Sequence, residues 1–354
     1  MSKRTLPLPG FFQESKDTAD KLRIVPYANI EQAALDYAKD NHVQHYSTDK
    51  CKICVMPIDM QITFCMPDGG ELFVGGRSGR GAVEDCIRLA EFGYRNLDVI
   101  TEWAPTLDTH LIYQIFHPLF WINDKGEHPI KNVTQISYDE VKNGTWRVNP
   151  AVAKTIANGD LNWLQKYALH YVETLTKGGR YVLQVWTYHA ILGGVGHALM
   201  PIVDEMTFFH GVARGVERAF QIKGGNPLTE NYSVFKPEVL SAHDGKALAQ
   251  KNAHFIKKLM DNDIIVICGE AGDYCVPWSI DDFLTEILAV DPKLAGKIYL
   301  LEDAISPVVI PPIYDGTDNM NAALERFKNA GMHVVKTTDP IETWPDVVNH
   351  GFEI

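Results

Sequence analysis

The 354-residue sequence is short of positive charge, of long apolar runs and of cysteine pairs. Its 33 Lys and Arg stand against 45 Asp and Glu, a net charge of −12, which argues against non-specific attraction to nucleic acid or an anionic lipid surface. No window supplies the roughly 18 uncharged apolar residues of a spanning helix. The basic opening MSKRTLPLPGFFQESKD likewise lacks the apolar stretch of a secretion signal. Six cysteines in a chain this long do not make a disulfide framework; Cys54, Cys65, Cys86 and Cys268 lie in or beside apolar segments, as buried thiols of a reducing compartment do. Repeats and low-complexity tracts are also lacking. These absences predict a cytoplasmic protein with a small-molecule partner, no nucleic acid and no membrane.

What is present is ordinary globular composition, 45% hydrophobic and 22% charged. Short runs rich in Val and Ile predict buried strands at Ile53 to Met60, Leu97 to Ile100, Tyr181 to Trp186, Ile264 to Cys268, Ile298 to Leu301 and His333 to Val335. Between them, apolar residues at three- and four-residue intervals predict helices at Ala82 to Phe92, Asp204 to Phe220, Ala247 to Met260, Ser279 to Val290 and Asn319 to Ala330. Strands alternating with helices imply an α/β fold, a three-layer α/β/α sandwich around a mostly parallel, Rossmann-like sheet. Such sheets carry their chemistry just past the carboxyl ends of the strands. Residues 1–50, with an amphipathic segment Ile30 to Lys39, read as an N-terminal extension packed on the core or on a neighbouring subunit of a homo-oligomer. Residues 51–354 read as one domain carrying an insertion at about 118–180, where no strand-helix rhythm is visible.

Three strand-end or turn segments hold candidate chemistry. Asp59 follows the first apolar run and is a candidate base or, alternatively, an Asx-turn or helix-cap residue. Cys275 follows the strand at Ile264 and a small-residue turn; with Pro277 in the first helical turn, it stands where a helix N-terminus favours a thiolate. Cys268, inside the strand, reads as a packed thiol. Lys223 opens a turn-rich stretch before Tyr232-Ser233-Val234-Phe235 and would by itself be a solvated surface lysine. Beside an acid and a thiol it becomes the cation that keeps both ionised.

These pieces, in this order, resemble the nicotinamidase and isochorismatase-like cysteine hydrolase superfamily, closest to its metal-binding nicotinamidase branch. Asp-x-Gln-x-x-Phe is matched by Asp59, Gln61 and Phe64, and Lys-Gly with Tyr-Ser-x-Phe by Lys223, Gly224, Tyr232, Ser233 and Phe235. Ala-x-Asp-x-Cys-Val is matched by Ala271, Asp273, Cys275 and Val276. Three collinear motifs over residues 50 to 340 are a strong signal. The resemblance implies the isochorismatase-like hydrolase fold and a catalytic triad of Asp59, Lys223 and Cys275. It also implies a cis peptide at Glu270-Ala271 and an oxyanion hole from the N–H groups of Ala271 and Cys275. Glu270 departs from the apolar residue expected there, and its carboxylate is a candidate pocket group.

In the nicotinamidase branch an Asp-x-His pair and a His three residues after a Trp bind a divalent metal; Asp108, His110 and His189 stand at those positions, with His117 a further candidate. Leu111 and Thr187 replace prolines of the pattern. One carboxylate and two imidazoles suit Zn, with Fe or Mn as alternatives; the alternative is three polar residues hydrogen-bonded within loops. Phe64, Trp186 and Tyr232 fall where the resemblance places the substrate pocket, and flat rings suit a planar heteroaromatic amide. The implied function is hydrolysis of a small, nicotinamide-like amide to acid and ammonia through a thioester. The alternatives are a metal-independent hydrolase of carbamoyl or ureido compounds and a non-catalytic small-molecule-binding protein of the same fold. The pair Cys51-x-x-Cys54 lacks the partners of a redox or zinc motif. The glycine-rich run Gly75 to Gly81 lacks a phosphate-loop ending and reads as a turn with two arginines open to an anionic substrate or another subunit.

Overall fold

A computed structural model describes residues 5–179 and 181–347. Two units are formed: the first from the residues up to Leu107, Ala198–Gln221 and the residues from Ala253, the second from Asp108–His197 and Ile222–Asn252.

The first unit is built on a five-stranded parallel sheet of β1 (Ile53–Ile58), β2 (Glu102–Trp103), β3 (Ile264–Glu270), β4 (Ile298–Ser306) and β5 (His333–Val335), in the order β5-β4-β3-β1-β2. Every residue of β1 and of β3 is buried. Because alternate strand side chains point to opposite faces, that continuous burial requires a layer of structure on each face. Each fully buried Ile or Val contributes roughly 1.5–3 kcal/mol, which is why these two runs, and not their flanks, form the centre of the sheet. The layers are helices α1 (Tyr27–Asp40), α2 (Gly81–Arg95), α3 (Pro201–Arg214), α4 (Ala253–Met260), α5 (Cys275–Val290) and α6 (Thr317–Asn329). Helix α2 packs on β4 and on α3, α1 packs on α3, and α5 packs on α6, so the architecture is the expected α/β/α sandwich. The N-terminal segment packs on its own unit: Ile30 and Ala34 of α1 are buried, and Tyr27 Oη donates to Asp204 Oδ2 at 2.5 Å.

The register pairs Ile58 with Gly269, which brings the carboxyl ends of β1 and β3 side by side. Gly269 has φ +116°, and a Cβ there would stand 2.1 Å from the Ile58 carbonyl oxygen, so the approach requires glycine.

Several boundaries differ from expectation. Leu97 to Ile100 is not a strand: it is the turn after α2, with Leu97 and Ile100 buried, and the short edge strand is Glu102–Trp103. Helix α3 ends at Arg214, where Gly215 adopts φ 70°, rather than running to Phe220. The expected helix from Ala247 begins only at Ala253.

The second unit has its own core, with Phe116, Phe120, Trp121, Tyr167 and Tyr171 fully buried. Residues 118–179, where the sequence shows no strand-helix rhythm, carry regular structure. The 18-residue helix Leu161–Gly178 is capped by Asp160, whose Oδ1 accepts the Trp163 N–H at 2.8 Å, and it ends at Gly179 with φ 66°. Tyr181 to Trp186 is not a strand of the parallel sheet. Only Leu183–Gln184 is extended, and it pairs antiparallel with Gln135–Ile136. Val182 is 40% exposed, incompatible with a strand covered on both faces.

Among the described residues no helix is long and apolar enough to cross a membrane.

Candidate active site

In the first unit, Asp59 is the residue immediately after β1, in the left-handed region with φ 51° and fully buried. Its Oδ1 accepts the Thr106 hydroxyl at 2.6 Å, and Thr106 Oγ1 in turn accepts the Asp59 N–H at 3.1 Å. The Gln61 N–H returns to the Asp59 carbonyl at 2.7 Å, closing the tight turn that starts the one-turn helix Ile62–Cys65 carrying Phe64. Thr106 is a site residue that the sequence did not mark, since a lone Thr carries no spacing signal.

Cys275 opens α5, six residues past the register partner of Ile58. The turn before it is fixed at several points. Gly272 N–H donates to Ser306 O at 2.8 Å, and the Tyr274 and Val276 N–H groups donate to Ala271 O at 3.1 and 3.2 Å. Asp273 accepts the Val308 N–H and the Tyr314 hydroxyl, both at 2.9 Å. The Glu270–Ala271 peptide is cis, as the resemblance implied. Asp59 and the turn holding Cys275 thus leave neighbouring parallel strands at the same edge. The thiols of Cys54, Cys65 and Cys268 are fully buried, and burial pushes each well above the ordinary thiol range, which leaves them as packing groups.

Glu270 does not face a pocket. It is fully buried, and its carboxyl meets that of Asp85 in α2. The two arginines of the glycine-rich loop are also engaged within the unit, Arg77 with Asp315 at 2.8 Å and Arg80 with Asp20 at 3.0 Å.

In the second unit, Asp108, His110 and His189 are all buried, and one ligand atom from each lies within 4.8 Å of the others. His110 Nε2 is 2.8 Å from Asp108 Oδ2, and His189 Nε2 is 3.5 Å from the same oxygen. His189 Nδ1 donates to Thr187 O at 2.8 Å, so in the neutral ring Nε2 carries the lone pair. A buried imidazole lone pair facing a carboxylate oxygen calls for a cation or a proton between them. His117 repeats the pattern: Nδ1 donates to Ile112 O at 3.1 Å, and its buried Nε2 has no hydrogen-bond partner. Its ring centre lies 6.1 Å from that of His110 and 6.5 Å from that of His189. Burial holds His110 below its ordinary range and His117 down to about 3, keeping both rings in the neutral form a metal requires. The donor set fits a divalent ion of the Zn, Fe or Mn class.

Lys223 joins this group. Its Nζ donates to Asp108 Oδ1 at 3.0 Å and to Asn231 O at 3.1 Å. Burial would raise the Asp108 carboxyl, but His110 and the ammonium of Lys223 beside it hold it well below the usual range. Gly224, with φ +89°, lies where a Cβ would stand 3.0 Å from Asp108 Oδ1, His110 Cε1 and Thr109 O, which explains the Lys-Gly pair. Trp186 Nε1 donates to the Tyr232 hydroxyl at 2.7 Å, so the two expected substrate aromatics of this unit touch. Buried Glu230, pushed up to about 8 by burial and then by the Asp108 charge, was not anticipated; its Oε1 accepts the Asn231 N–H at 2.9 Å.

No protein-family model matches the chain, and no curated protein matches it. Solved structures do. The chain resembles nicotinamidases in fold. A nicotinamidase and pyrazinamidase from Acinetobacter baumanii is 16% identical, with 81% of this chain and 97% of that one covered, at a TM-score of 0.48. The yeast nicotinamidase is 16% identical over 80% of this chain and 99% of its own, also at 0.48. A pyrazinamidase of Pyrococcus horikoshii in complex with zinc is 18% identical over 80% and 99%, at 0.43.

Proposed function

We propose that the chain is a cysteine amidohydrolase that cleaves a small planar amide, of nicotinamide type, to the acid and ammonia. The reading is carried by one observation: Asp59 and the turn bearing Cys275 leave the adjacent strands β1 and β3 at register-matched ends, with Asp59 and Cys275 both buried. Six cysteines without a disulfide suit a cytoplasmic location.

In this scheme Asp59, oriented by Thr106, takes the Cys275 proton and Sγ attacks the amide carbonyl carbon. The N–H groups of Ala271 and Cys275 receive the negative oxygen; a donor of this kind is worth about 2.7–4 kcal/mol. Asp59 returns the proton to nitrogen, the C–N bond breaks and ammonia leaves a thioester. Asp59 then draws a proton from water, which attacks the thioester and releases the acid and the thiol. Lys223 enters on its motif, as the ammonium that keeps the carboxylate ionised. Phe64, Trp186 and Tyr232 hold the flat ring. A divalent metal held by Asp108, His110 and His189, with His117 beside them, would supply a Lewis-acid anchor for a ring nitrogen or a water.

The test is ammonia release from heteroaromatic amides, biuret and N-carbamoyl amino acids, with metal analysis of the purified protein. Turnover of the aromatic amides by a metal-bearing protein supports the reading. Turnover confined to ureido compounds by a metal-free protein moves it to the carbamoyl and ureido hydrolases, and no turnover of any of them moves it to a binding protein.

A further inference from the structure

Glu270 stands at the last position of β3, next to Ala271, and pairs in register with Ser306 of β4. Its side chain is fully buried, and beside the Ser306 N–H its carboxyl is offered no close hydrogen-bond donor. Asp85, 1% exposed, faces it from α2: Oδ1 accepts Arg88 at 2.6 Å, Oδ2 has no close partner, and the Ser306 hydroxyl is the other donor beside the carboxyl. Two buried carboxyls side by side, with one guanidinium and one serine to serve four oxygens, are short of donors in a way that is rare in folded proteins. A carboxyl can donate to a carboxylate only by carrying the proton itself, so one proton between the two groups turns a repulsive contact into a hydrogen bond.

The charge balance agrees. Ionised, the two acids would place two negative charges against the single positive charge of Arg88; sharing one proton leaves one carboxylate and one guanidinium. The other groups around the pair add no cation: Cys86 of α2, Cys65 of the short helix, Cys268 of β3, and Ser306 and Asp303 of β4. Burial and then the Asp85 charge push the Glu270 carboxyl well above its ordinary range, and burial raises Asp85 as well.

The start of α2 is anchored at the same place. A Cβ at Gly81, its first residue, would stand 2.5 Å from Ser306 Oγ, so the glycine-rich loop seats α2 directly on the residue paired with Glu270. We propose that Glu270 and Asp85 share one proton, and that this carboxyl pair is a positioning device tying α2 to the strand end that presents Ala271 and Cys275. When the shared proton is lost to solvent at alkaline pH, two anions face each other, the tie opens and the Cys275 turn loses its fixed place.

The positioning half rests on Cys275 being the reactive thiol; the shared proton does not. Two measurements separate them. Infrared spectra of the wild-type protein at neutral pH should show a protonated-carboxyl C=O stretch that disappears in Glu270→Gln; its absence from the wild type overturns the shared proton. Carbamidomethylation by iodoacetamide, mapped to Cys275 by mass spectrometry, should rise with pH in the wild type and then fall, by about tenfold per pH unit once the single proton is lost. Glu270→Gln, which cannot ionise, should lose the falling limb, and Asp85→Asn should lose it as well if the first variant does not fold. A falling limb unchanged in both variants, or missing from the wild type, overturns the positioning role. A wild-type protein whose Cys275 is unlabelled at every pH overturns the nucleophile, and the positioning role with it, while the infrared result still decides the shared proton.

Discussion

Lys223 Nζ stands 3.0 Å from Asp108 Oδ1, and the other oxygen of that carboxylate stands 2.8 Å from His110 Nε2. One buried carboxylate therefore serves both the lysine of the Lys-Gly motif and the imidazole cluster. Asp108→Asn should leave a buried ammonium without its counter-charge, and removing one partner of such a pair costs about 3–5 kcal/mol. Adding Lys223→Met removes the stranded charge, so the double variant should be more stable than Asp108→Asn alone. Urea unfolding in metal-free buffer measures this; a double variant no more stable than the single one would show that the contact carries little energy.

Thr106 holds Asp59 through two hydrogen bonds, at 2.6 and 3.1 Å. Thr106→Val keeps the shape and removes the hydroxyl. We expect about a tenfold loss of kcat, roughly 1.4 kcal/mol of transition-state stabilisation, with Asp59→Asn far more damaging. Steady-state kinetics with thermal melts would check it, and full activity in Thr106→Val would remove Thr106 from the site.

The parts of the fold legible in the sequence are those where burial is continuous. The runs Ile53–Ile58 and Ile264–Glu270 are apolar along nearly their whole length because both faces are covered; His333–Val335, only half-buried, also falls within its predicted bounds. Leu97 to Ile100 looks the same in sequence but forms a turn in which Leu97 and Ile100 are buried, since burial alone does not specify extended backbone. The helix Leu161–Gly178 has the spacing, in Leu164, Tyr167, Ala168, Tyr171, Val172 and Leu175, but half of its bulkiest buried groups are tyrosines, which blur an apolar stripe. In the site, the motif residues could be found because they are local in sequence. Thr106 could not: it meets Asp59 across 47 positions of chain. Nor could the Glu270–Asp85 pair, which depends on how α2 lies on the sheet.

Gly224→Ala tests the cradle around the proposed metal. The added methyl would press on Asp108, His110 and Thr109 at about van der Waals overlap, in a backbone region strained for any side chain at φ +89°. Zinc affinity, followed by competition with a chelating dye, should fall at least about tenfold, or 1.4 kcal/mol, while the sheet core stays folded. Unchanged affinity would separate Gly224 from the metal group.

Acid stability should depend on His210. It is fully buried in α3, donates from Nε2 to Ile100 O at 2.8 Å, and is held down to about 3 by burial. Its folded value lies below the unfolded value of about 6.5, so the stability it confers is complete above that pH and is lost as pH falls toward 3. From pH 7 to pH 5 that linkage amounts to about 2 kcal/mol. His210→Gln, which can keep the bond to Ile100, should lose correspondingly less stability over the same interval in urea unfolding; an identical loss in both proteins would contradict the assignment.

Whether Cys275 carries the acyl group is read most directly from the intact mass after rapid mixing with a heteroaromatic amide and acid quench. A thioester at Cys275 adds a mass equal to the amide minus ammonia, mapped to the peptide holding Cys275, absent from Cys275→Ala and not formed by Asp59→Asn. Ammonia release without an adduct at Cys275, persisting in Cys275→Ala, would contradict it.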